Sequence, residues 1–401
     1  MLILHYDLES NQTRACQMKK IAIIGGGVMG SYFGEACHRL GYESHLFSMK
    51  DVIVDDSKVN FFHEINIFEK EKITEICREI GINGVVATTE LSVSITSYVA
   101  EQLGLLGVPY EVARVITDKY RNRECIKELK ELLSPKYVEA TCLKDIEKSD
   151  VPYPMILKPI NLGGKRGISV VKDSSELAKA FDYAMESFRK GTSPVIIAEQ
   201  YLEGGMECSV ESITFKGKHT IVQITQKDSS GAPHCVELGH HQPAPISKEM
   251  WNKVVCAVSS GLSAIGITNG PCHTEIKIID GDVYLIEFNA RPGGDHIWWP
   301  MVELSTGFDI ISAVVQAATG DLAPIDVATF KHNYSGLYYV VEQTKYLKAI
   351  FEDCERESWC WEKNFISDNL TELTHNDMEH TNYMIYISSE CDPVKKMLDN
   401  D

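Results

Sequence analysis

Two short segments with alternating polar and apolar residues lie on either side of an Asp-Gly pair. They span residues 273–277 and 284–291. Apolar-rich runs around Asp-Gly are typical of a β-hairpin, in which alternate side chains share one face. This alternation puts Glu287 and Asn289 on one face of the second strand, while Glu275 lies on the first. Carboxylate and amide oxygens are preferred ligands of hard divalent cations. We therefore predict a Mg²⁺ (or Mn²⁺) site at these three residues.

The metal prediction sets a condition on the loop of the hairpin. A two-residue loop would pair Glu275 with Ile286 and leave the two glutamates on opposite faces. An odd-numbered loop centred on Gly281 would pair Glu275 with Glu287, so we expect the odd loop. Arg291, on the face of Glu287, could stabilise charge that develops during phosphate transfer. The alternative is an ordinary hairpin whose acidic side chains face water.

Composition limits the class of protein. The chain has 401 residues, 44% hydrophobic and 24% charged, which is enough for two or three globular domains. Its net charge of −18 argues against nucleic acid or an anionic membrane as a partner. The twelve cysteines are scattered, without a Cys-x-x-Cys pair, and no apolar run approaches the ~20 residues that span a bilayer. We expect a reduced, cytoplasmic protein with a loose extension at residues 1–18.

A glycine-rich segment follows the first predicted strand. Residues 20–24 are apolar, and Gly-Gly-Gly-Val-Met-Gly follows at 25–30, opening a helical run. This spacing is used to bind dinucleotides, but such sites also need an acidic residue at the end of the second strand. That strand ends in Ser48, and Asp51 comes a turn too late. The glycines can also serve close packing of strand and helix. Further strands near 59–62 and 84–88 complete an α/β unit that ends at residues 104–110.

A second glycine-rich loop lies between two predicted strands, 155–159 and 168–171. It does not match a Walker loop, because a strand rather than a helix follows and Arg166 succeeds Lys165. Such a loop can still fold its backbone N–H groups over phosphates, with Lys119 and Lys158 adding positive charge. The alternative is a surface hairpin with solvated basic residues. The strand edge at 195–199 could read an adenine, and a nearby carboxylate could bind ribose hydroxyls.

The last candidate groups lie in loops around the hairpin. Glu237 and His240 fall in a polar loop, where the histidine can be either catalytic or structural. Residues 292–296 are glycine-rich and are predicted to form a wall of the site. We also expect Thr117 to cap a helix that runs to about residue 132, and a helix at 251–265 to pack under the hairpin. Residues after 320 show no chemistry, and we expect them to cap the cleft.

In their order along the chain, these segments resemble the ATP-grasp superfamily and, within it, the dipeptide-forming L-amino acid ligases. The resemblance spans about residues 19–320 and is carried by Asp118-Lys119, Lys158 with its glycine loop, residues 199–202, Glu275 and Glu287-x-Asn289-x-Arg291. It implies an α/β fold of ATP-grasp type. The implied parts are a Rossmann-like pre-ATP-grasp domain at 19–112, an ATP-grasp domain at 113–320 with a lid at about 140–202, and an α+β cap at 321–401.

The resemblance also implies roles for individual residues. The implied ATP-binding residues are Lys119, Lys158, Gly163, Gly164, Lys165, Glu199, Gln200, Tyr201, Leu202 and Glu207, with Glu207 on the ribose. The implied metal ligands are Glu275, Glu287 and Asn289. The implied catalytic and amino-acid-binding residues are Glu90, Glu237, His240, Arg291, Gly293 and Gly294. Lys165-Arg166 departs from the small polar residue common in that loop.

The implied reaction is ATP-dependent amide formation. An amino acid carboxylate would attack ATP to give an acyl phosphate, and an amine, such as another amino acid, would then displace phosphate. The implied partners are small molecules, and a homodimer is possible. Three alternatives remain: an ATP-grasp carboxylase of the biotin or purine type, a Rossmann-type oxidoreductase that uses residues 25–30, and a nucleotide sensor without turnover.

Overall fold

The computed structural model describes residues 18–50, 52, 55–160, 167–188, 194–232, 235–374 and 380–399. The strands in these ranges are β1 Lys20–Ile24, β2 Glu43–Ser48, β3 Phe61–Glu64, β4 Gly84–Ala87, β5 Tyr137–Ala140, β6 Met155–Pro159, β7 Ser169–Val171, β8 Ile196–Gln200, β9 Met206–Phe215, β10 Lys218–Ser229, β11 Glu237–Gln242, β12 Gly270–Ile279, β13 Asp282–Asn289, β14 Tyr334–Tyr339, β15 Cys360–Asn364 and β16 Tyr383–Ser388. The α-helices are α1 Val28–Leu40, α2 Lys70–Ile80, α3 Glu90–Gln102, α4 Tyr110–Ile116, α5 Lys119–Ile126, α6 Leu143–Glu147, α7 Ser174–Glu186, α8 Lys248–Ile265, α9 Glu303–Thr306, α10 Ile310–Thr319, α11 Lys348–Asp353 and α12 Pro393–Leu398.

The first four strands form a parallel sheet in the order β3-β2-β1-β4. Residues 21–24 of β1 are fully buried, as expected for a parallel strand covered on both faces. This is the Rossmann-like arrangement predicted for the region. Gly25 has φ +100, and a Cβ there would lie 2.3 Å from Thr88 Oγ1. Close packing therefore accounts for this glycine without a dinucleotide.

A small antiparallel sheet, β5-β8-β6-β7, lies in the region predicted as a lid. Helix α7 covers it with Leu177, Ala180, Phe181 and Ala184, which recur at the spacing of one helical face. The predicted phosphate contacts at Gly163, Gly164 and Lys165 lie outside the described residues.

The central sheet has eight antiparallel strands in the order β13-β12-β9-β10-β11-β14-β16-β15. Helix α8 packs against one face of it, as predicted, and forms the largest apolar cluster with β9, β12 and β13. The strands after residue 320 continue this sheet from β11. The region predicted to be a separate cap is thus hydrogen-bonded to the sheet that bears the candidate site.

Helix α5 differs from its prediction at both ends. Asp118, and not Thr117, caps it, because the Asp118 carboxylate accepts the N–H of Arg121. The helix ends at Ile126, before the predicted residue 132. The first residue of the helix is therefore Lys119, whose side chain is buried.

One apolar segment lies between the N-terminal and central sheets. Residues 297–302 and helix α10 pack with β1, α1 and Ile213 of β9 in one buried cluster. Among the described residues, no single helix is long and apolar enough to cross a membrane. The helical segments Ile297–Thr306 and Ile310–Thr319, which are bent relative to each other, reach the necessary length and apolar composition only when they are counted together.

Candidate active site

The polar side chains of the cleft come from one face of four neighbouring strands. In the hydrogen-bonded register, Lys227 of β10 lies opposite Glu207 of β9, which lies opposite Lys277 of β12. Two residues before Lys277 on β12, Glu275 lies opposite Glu287 of β13. The intervening residues point to the other face and pack against α8. Strand alternation thus separates a charged face from an apolar face.

The two predicted metal-ligand glutamates are paired, but not by the predicted loop. The loop has two residues, Asp280 and Gly281, both with positive φ (51° and 83°), so the expectation of an odd loop was wrong. A β-bulge corrects the register instead: Ile286 has no partner, and Glu275 pairs with Glu287. The predicted pairing of the two glutamates is therefore confirmed.

Arg123 fixes both the bulge and a buried carboxylate. Its Nη2 donates to the carbonyl of Ile286 at 2.8 Å, and its Nε lies 2.5 Å from Glu199 Oε1. Lys158 Nζ lies 2.7 Å from the other oxygen of Glu199. Burial alone would raise the pKa of Glu199, but the charges of Arg123 and Lys158 lower it to about 2. The side chain of Glu199, predicted to contact ATP, therefore positions Lys158.

Lys119 is paired with one of the metal-ligand candidates. Its Nζ lies 2.9 Å from Glu287 Oε1. Burial would lower the pKa of Lys119, but the charges of Glu287 and Glu90 raise it, so the lysine stays protonated. Burial and the nearby Glu287 raise the pKa of Glu90. The N-terminal domain thus places Glu90 among the charged residues of the hairpin.

Lys227 is a residue of the site that the sequence analysis missed. It is buried, and its Nζ lies 2.8 Å from Glu237, 3.5 Å from Glu275 and 3.9 Å from Glu207. Burial opposes its charge, but the three carboxylates raise its pKa well above the usual value. Its place on the polar face follows from its pairing with Glu207, which the sequence alone did not reveal.

A buried group behind Glu275 orients that side chain. His273 Nδ1 lies 2.9 Å from Glu211, and its Nε2 lies 3.5 Å from Glu275. Trp298 Nε1 also donates to Glu211. Burial would lower the pKa of His273, but Glu211 and Glu275 raise it to about 9. The resulting imidazolium, with Lys227, lowers the pKa of Glu275 against the effect of burial.

His240 was predicted to act in the cleft, but its side chain does not line the cleft. It is completely buried and lies behind Glu237, with Nε2 3.2 Å from Glu237 Oε2 and 3.9 Å from Asp295 Oδ2. Burial lowers its pKa, so the imidazole is neutral near pH 7. Glu237, an implied catalytic residue, and Asp295, from the predicted wall at 292–296, line the cleft in front of it. These three side chains have ligand atoms within 4.8 Å of one another.

The cleft has a volume of about 960 Å³ and collects most of the predicted residues. Of these, it is lined by Glu90, Lys119, Lys158, Glu199, Gln200, Tyr201, Leu202, Glu207, Glu237, Glu275, Glu287, Asn289, Arg291 and Gly294. Gly293, predicted to bind substrate, does not line it. A Cβ on Gly293 would lie 2.6 Å from His273 Nδ1, so this glycine allows close packing behind the wall.

The predicted adenine contacts need one correction. Strand β8 is an interior strand, paired with β5 and β6, so it offers no free edge. Backbone contacts with adenine would therefore fall to the residues after it. There Lys277 Nζ donates to the Leu202 carbonyl at 2.6 Å and lies 5.8 Å from the centre of the Tyr201 ring.

Comparison with known proteins identifies the fold. Residues 151–298 match the family model of the ATP-grasp domain. This chain carries an ATP-grasp domain. It is 24% identical to alanine–anticapsin ligase of Bacillus subtilis over 58% of its own length and 52% of the relative's. It is 27% identical to D-alanine–D-alanine ligase of Flavobacterium johnsoniae over 68% and 86% of the two chains.

The whole ATP-grasp architecture is shared with a solved structure. L-amino acid ligase from Bacillus licheniformis superposes with a TM-score of 0.79, covering 95% of this chain and 97% of that one at 24% identity. The predicted ATP-grasp fold with a Rossmann-like N-terminal unit is therefore confirmed, as is the resemblance to amino acid ligases. The chain spans about half the length of the B. subtilis relative.

Proposed function

We propose that this protein is an ATP-dependent carboxylate–amine ligase. It would join an amino acid carboxylate to an amine through an acyl phosphate and release ADP and phosphate. The observation that carries the proposal is the pairing of Glu275 with Glu287 in a cleft that also holds Lys119, Lys158 and Arg291. Such a site offers carboxylates to a divalent cation and positive charges to phosphates. The similarity to amino acid ligases supports the choice of substrates.

The acidic residues fit a divalent cation by their chemistry. Glu275 and Glu287 are cross-strand partners, and Asn289 follows on the same face of β13. Glu287 is held by Lys119, and Glu275 by Lys227 and His273, so both carboxylates are oriented before a metal binds. These three side chains would hold Mg²⁺, which neutralises negative charge on transferring phosphate.

The cationic residues are suited to bind phosphate oxygens. Lys158 is held by Glu199 and Lys119 by Glu287, so both ammonium groups are already oriented before substrate binds. Arg291 Nη1 donates to the Pro292 carbonyl, while its buried Nε has no hydrogen-bond partner among the described residues. Arg291 lines the cleft, so its guanidinium charge would stabilise an acyl phosphate and the oxyanion formed when an amine attacks it.

Phosphate release tests the proposal. With ATP, Mg²⁺ and a pool of the standard amino acids, the protein should release phosphate only when amino acids are present. Glu287→Gln should reduce this rate by about 100-fold or more, because it removes a charged metal ligand. Glu111→Gln, at an exposed glutamate of α4, is the matched control and should leave the rate unchanged. A rate that does not respond to amino acids would contradict the proposal. Release with bicarbonate alone would favour a carboxylase.

A further inference from the structure

Two carboxylates that the proposed metal and phosphate contacts do not use meet on the cleft wall. Asp295 contacts Glu237, and both line the cleft in front of the buried His240. Asp295 and His296 have left-handed backbone, with φ of 55° and 60°. Side-chain-bearing residues rarely adopt this conformation, and it is enriched at functional sites. The loop therefore holds two acidic side chains in contact at a conformational cost.

Asp295 has little positive charge of its own nearby. Among the described residues, no lysine or arginine nitrogen lies within 4.0 Å of its carboxylate. The groups that face it from neighbouring elements are Lys227 on β10, Glu237 and His240 on β11, Arg291 after β13 and Tyr339 on β14. Lys227 is shared among three other carboxylates, and the neutral His240 adds no charge. Asp295 therefore lacks a cation of its own.

The missing cation has two possible sources. Glu237, His240 and Asp295 could together hold a metal ion. However, one of these ligands would be the buried imidazole of His240, whereas Mg²⁺ prefers oxygen ligands. A substrate ammonium carries a single charge and donates hydrogen bonds, so it can bind to two carboxylates at lower electrostatic cost. The geometry therefore favours an amine.

We propose that Glu237 and Asp295 bind the ammonium of the attacking substrate and that Asp295 is the catalytic base. This inference rests on the proposed ligase function. Asp295 takes one proton from the ammonium, and the neutral amine attacks the carbonyl carbon of the acyl phosphate. The new C–N bond forms as the C–O bond to phosphate breaks, and the second amine proton leaves with the phosphate. Asp295 then returns its proton to solvent.

The electrostatic environment suits this role. Burial and the charge of Glu237 raise the pKa of Asp295 to about 8. A base is most effective when its pKa lies near the working pH, and an ordinary carboxylate is too weak for an amine. His240, one of the implied catalytic residues, is buried behind the wall and does not line the cleft. Asp295, in contrast, lines it.

Hydroxylamine separates the two half-reactions. At pH 7 it is largely neutral, so it traps an acyl phosphate as a hydroxamate without first giving up a proton. With ATP, Mg²⁺ and the pooled amino acids, Asp295→Asn should form hydroxamate within about threefold of wild type, while dipeptide formation falls about 100-fold. Asp295→Glu should restore part of the dipeptide rate. Asp150→Asn, at an exposed carboxylate, should change neither product.

Three results would overturn this assignment. Asp295→Asn could form dipeptides at the wild-type rate, or it could lose hydroxamate and dipeptide equally. It could also bind one Mn²⁺ fewer per chain than wild type in equilibrium dialysis with a non-hydrolysable ATP analogue, which would make the cluster a metal site. Absence of hydroxamate with the wild-type protein is a different result, because it would contradict the ligase function itself.

Discussion

At the residue scale, three buried or half-buried lysines of the cleft are each oriented by a carboxylate. Lys158 forms an ion pair with Glu199, Lys119 with Glu287, and Lys227 with Glu237. Burying one charge is costly unless its partner is present, so such pairs are more sensitive to loss of one member than exposed pairs. The ammonium groups are therefore fixed before phosphate arrives, and this preorganisation limits the cost of binding.

Replacing Glu199 by glutamine should destabilise the fold. Arg123 and Lys158 would then share a buried site without a counter-charge, and we expect a loss of about 3–5 kcal/mol in the free energy of unfolding. Urea unfolding of the variant and of Glu111→Gln measures the difference, and the exposed control should change by less than about 0.5 kcal/mol. Equal stability of the two variants would show that the buried pair is not coupled to folding.

The lowered pKa of Glu199 also predicts that the stability of the fold depends on pH. The pKa of Glu199 falls from an ordinary 4.5 to about 2 on folding. The stabilisation of the fold by ionised Glu199 is therefore fully present above pH 4.5. It is lost as the pH falls towards 2, which lowers the free energy of unfolding by an amount on the order of 3 kcal/mol. Urea unfolding between these pH values should show a shallower decline for Glu199→Gln than for wild type. Parallel declines would contradict the assignment.

At the element scale, two helices and a bulge bring the hairpin into position. The bulge at Ile286 turns Glu287 to the face of Glu275, and Arg123 of α5 binds the bulged carbonyl. Beneath the sheet, α8 approaches closely at Gly261, where a Cβ would lie 2.7 Å from Phe288 Cζ. Phe288 lies between two metal-ligand candidates, so the position of α8 affects the site.

Gly261→Ala tests this coupling between helix and hairpin. Alanine is the better helix former, but its methyl group would clash with Phe288 and with Leu132 Cδ2, 2.6 Å away. We expect a net loss of about 1–2 kcal/mol in urea unfolding and a fall in amino-acid-dependent phosphate release. Cys256→Ala, on the exposed side of α8, should change neither. A more stable variant would mean that the helix can move away without affecting the hairpin.

At the scale of the whole molecule, the cleft is shared by all parts of the chain. The N-terminal domain contributes Glu90, the small sheet contributes Lys158, and the C-terminal strands continue the central sheet and contribute Tyr338. Met301 packs in one cluster with Tyr339 of β14 and with residues of β16. The C-terminal region is thus part of the folding unit that bears the site.

A chain that ends after Lys331 should therefore fail to fold. It would expose the edge of β11 and the apolar surface around Met301. We expect no cooperative urea transition, whereas a chain ending at Asp399, which keeps every strand, should unfold like wild type. A shortened chain that unfolds cooperatively and still binds ATP would show that the region after residue 320 is a dispensable cap.

The sequence predicted what depends on local periodicity. The alternation of Glu287, Asn289 and Arg291 with apolar residues was sufficient to predict the strand and its polar face. Lys227 and Arg123 were missed, because their roles depend on pairing and packing with residues far along the chain. The bulge at Ile286 could not be predicted either, since it reverses the simple alternation on which the loop prediction relied.

Transfer of oxygen from substrate to phosphate tests the central claim most directly. If a carboxylate attacks ATP, amino acids labelled with ¹⁸O in the carboxylate must pass one labelled oxygen to each phosphate released. Mass spectrometry of the phosphate after incubation with ATP, Mg²⁺ and the labelled pool measures this transfer. We predict one ¹⁸O per phosphate. Phosphate that carries no label would mean that water attacks ATP, and this would contradict the proposed ligase.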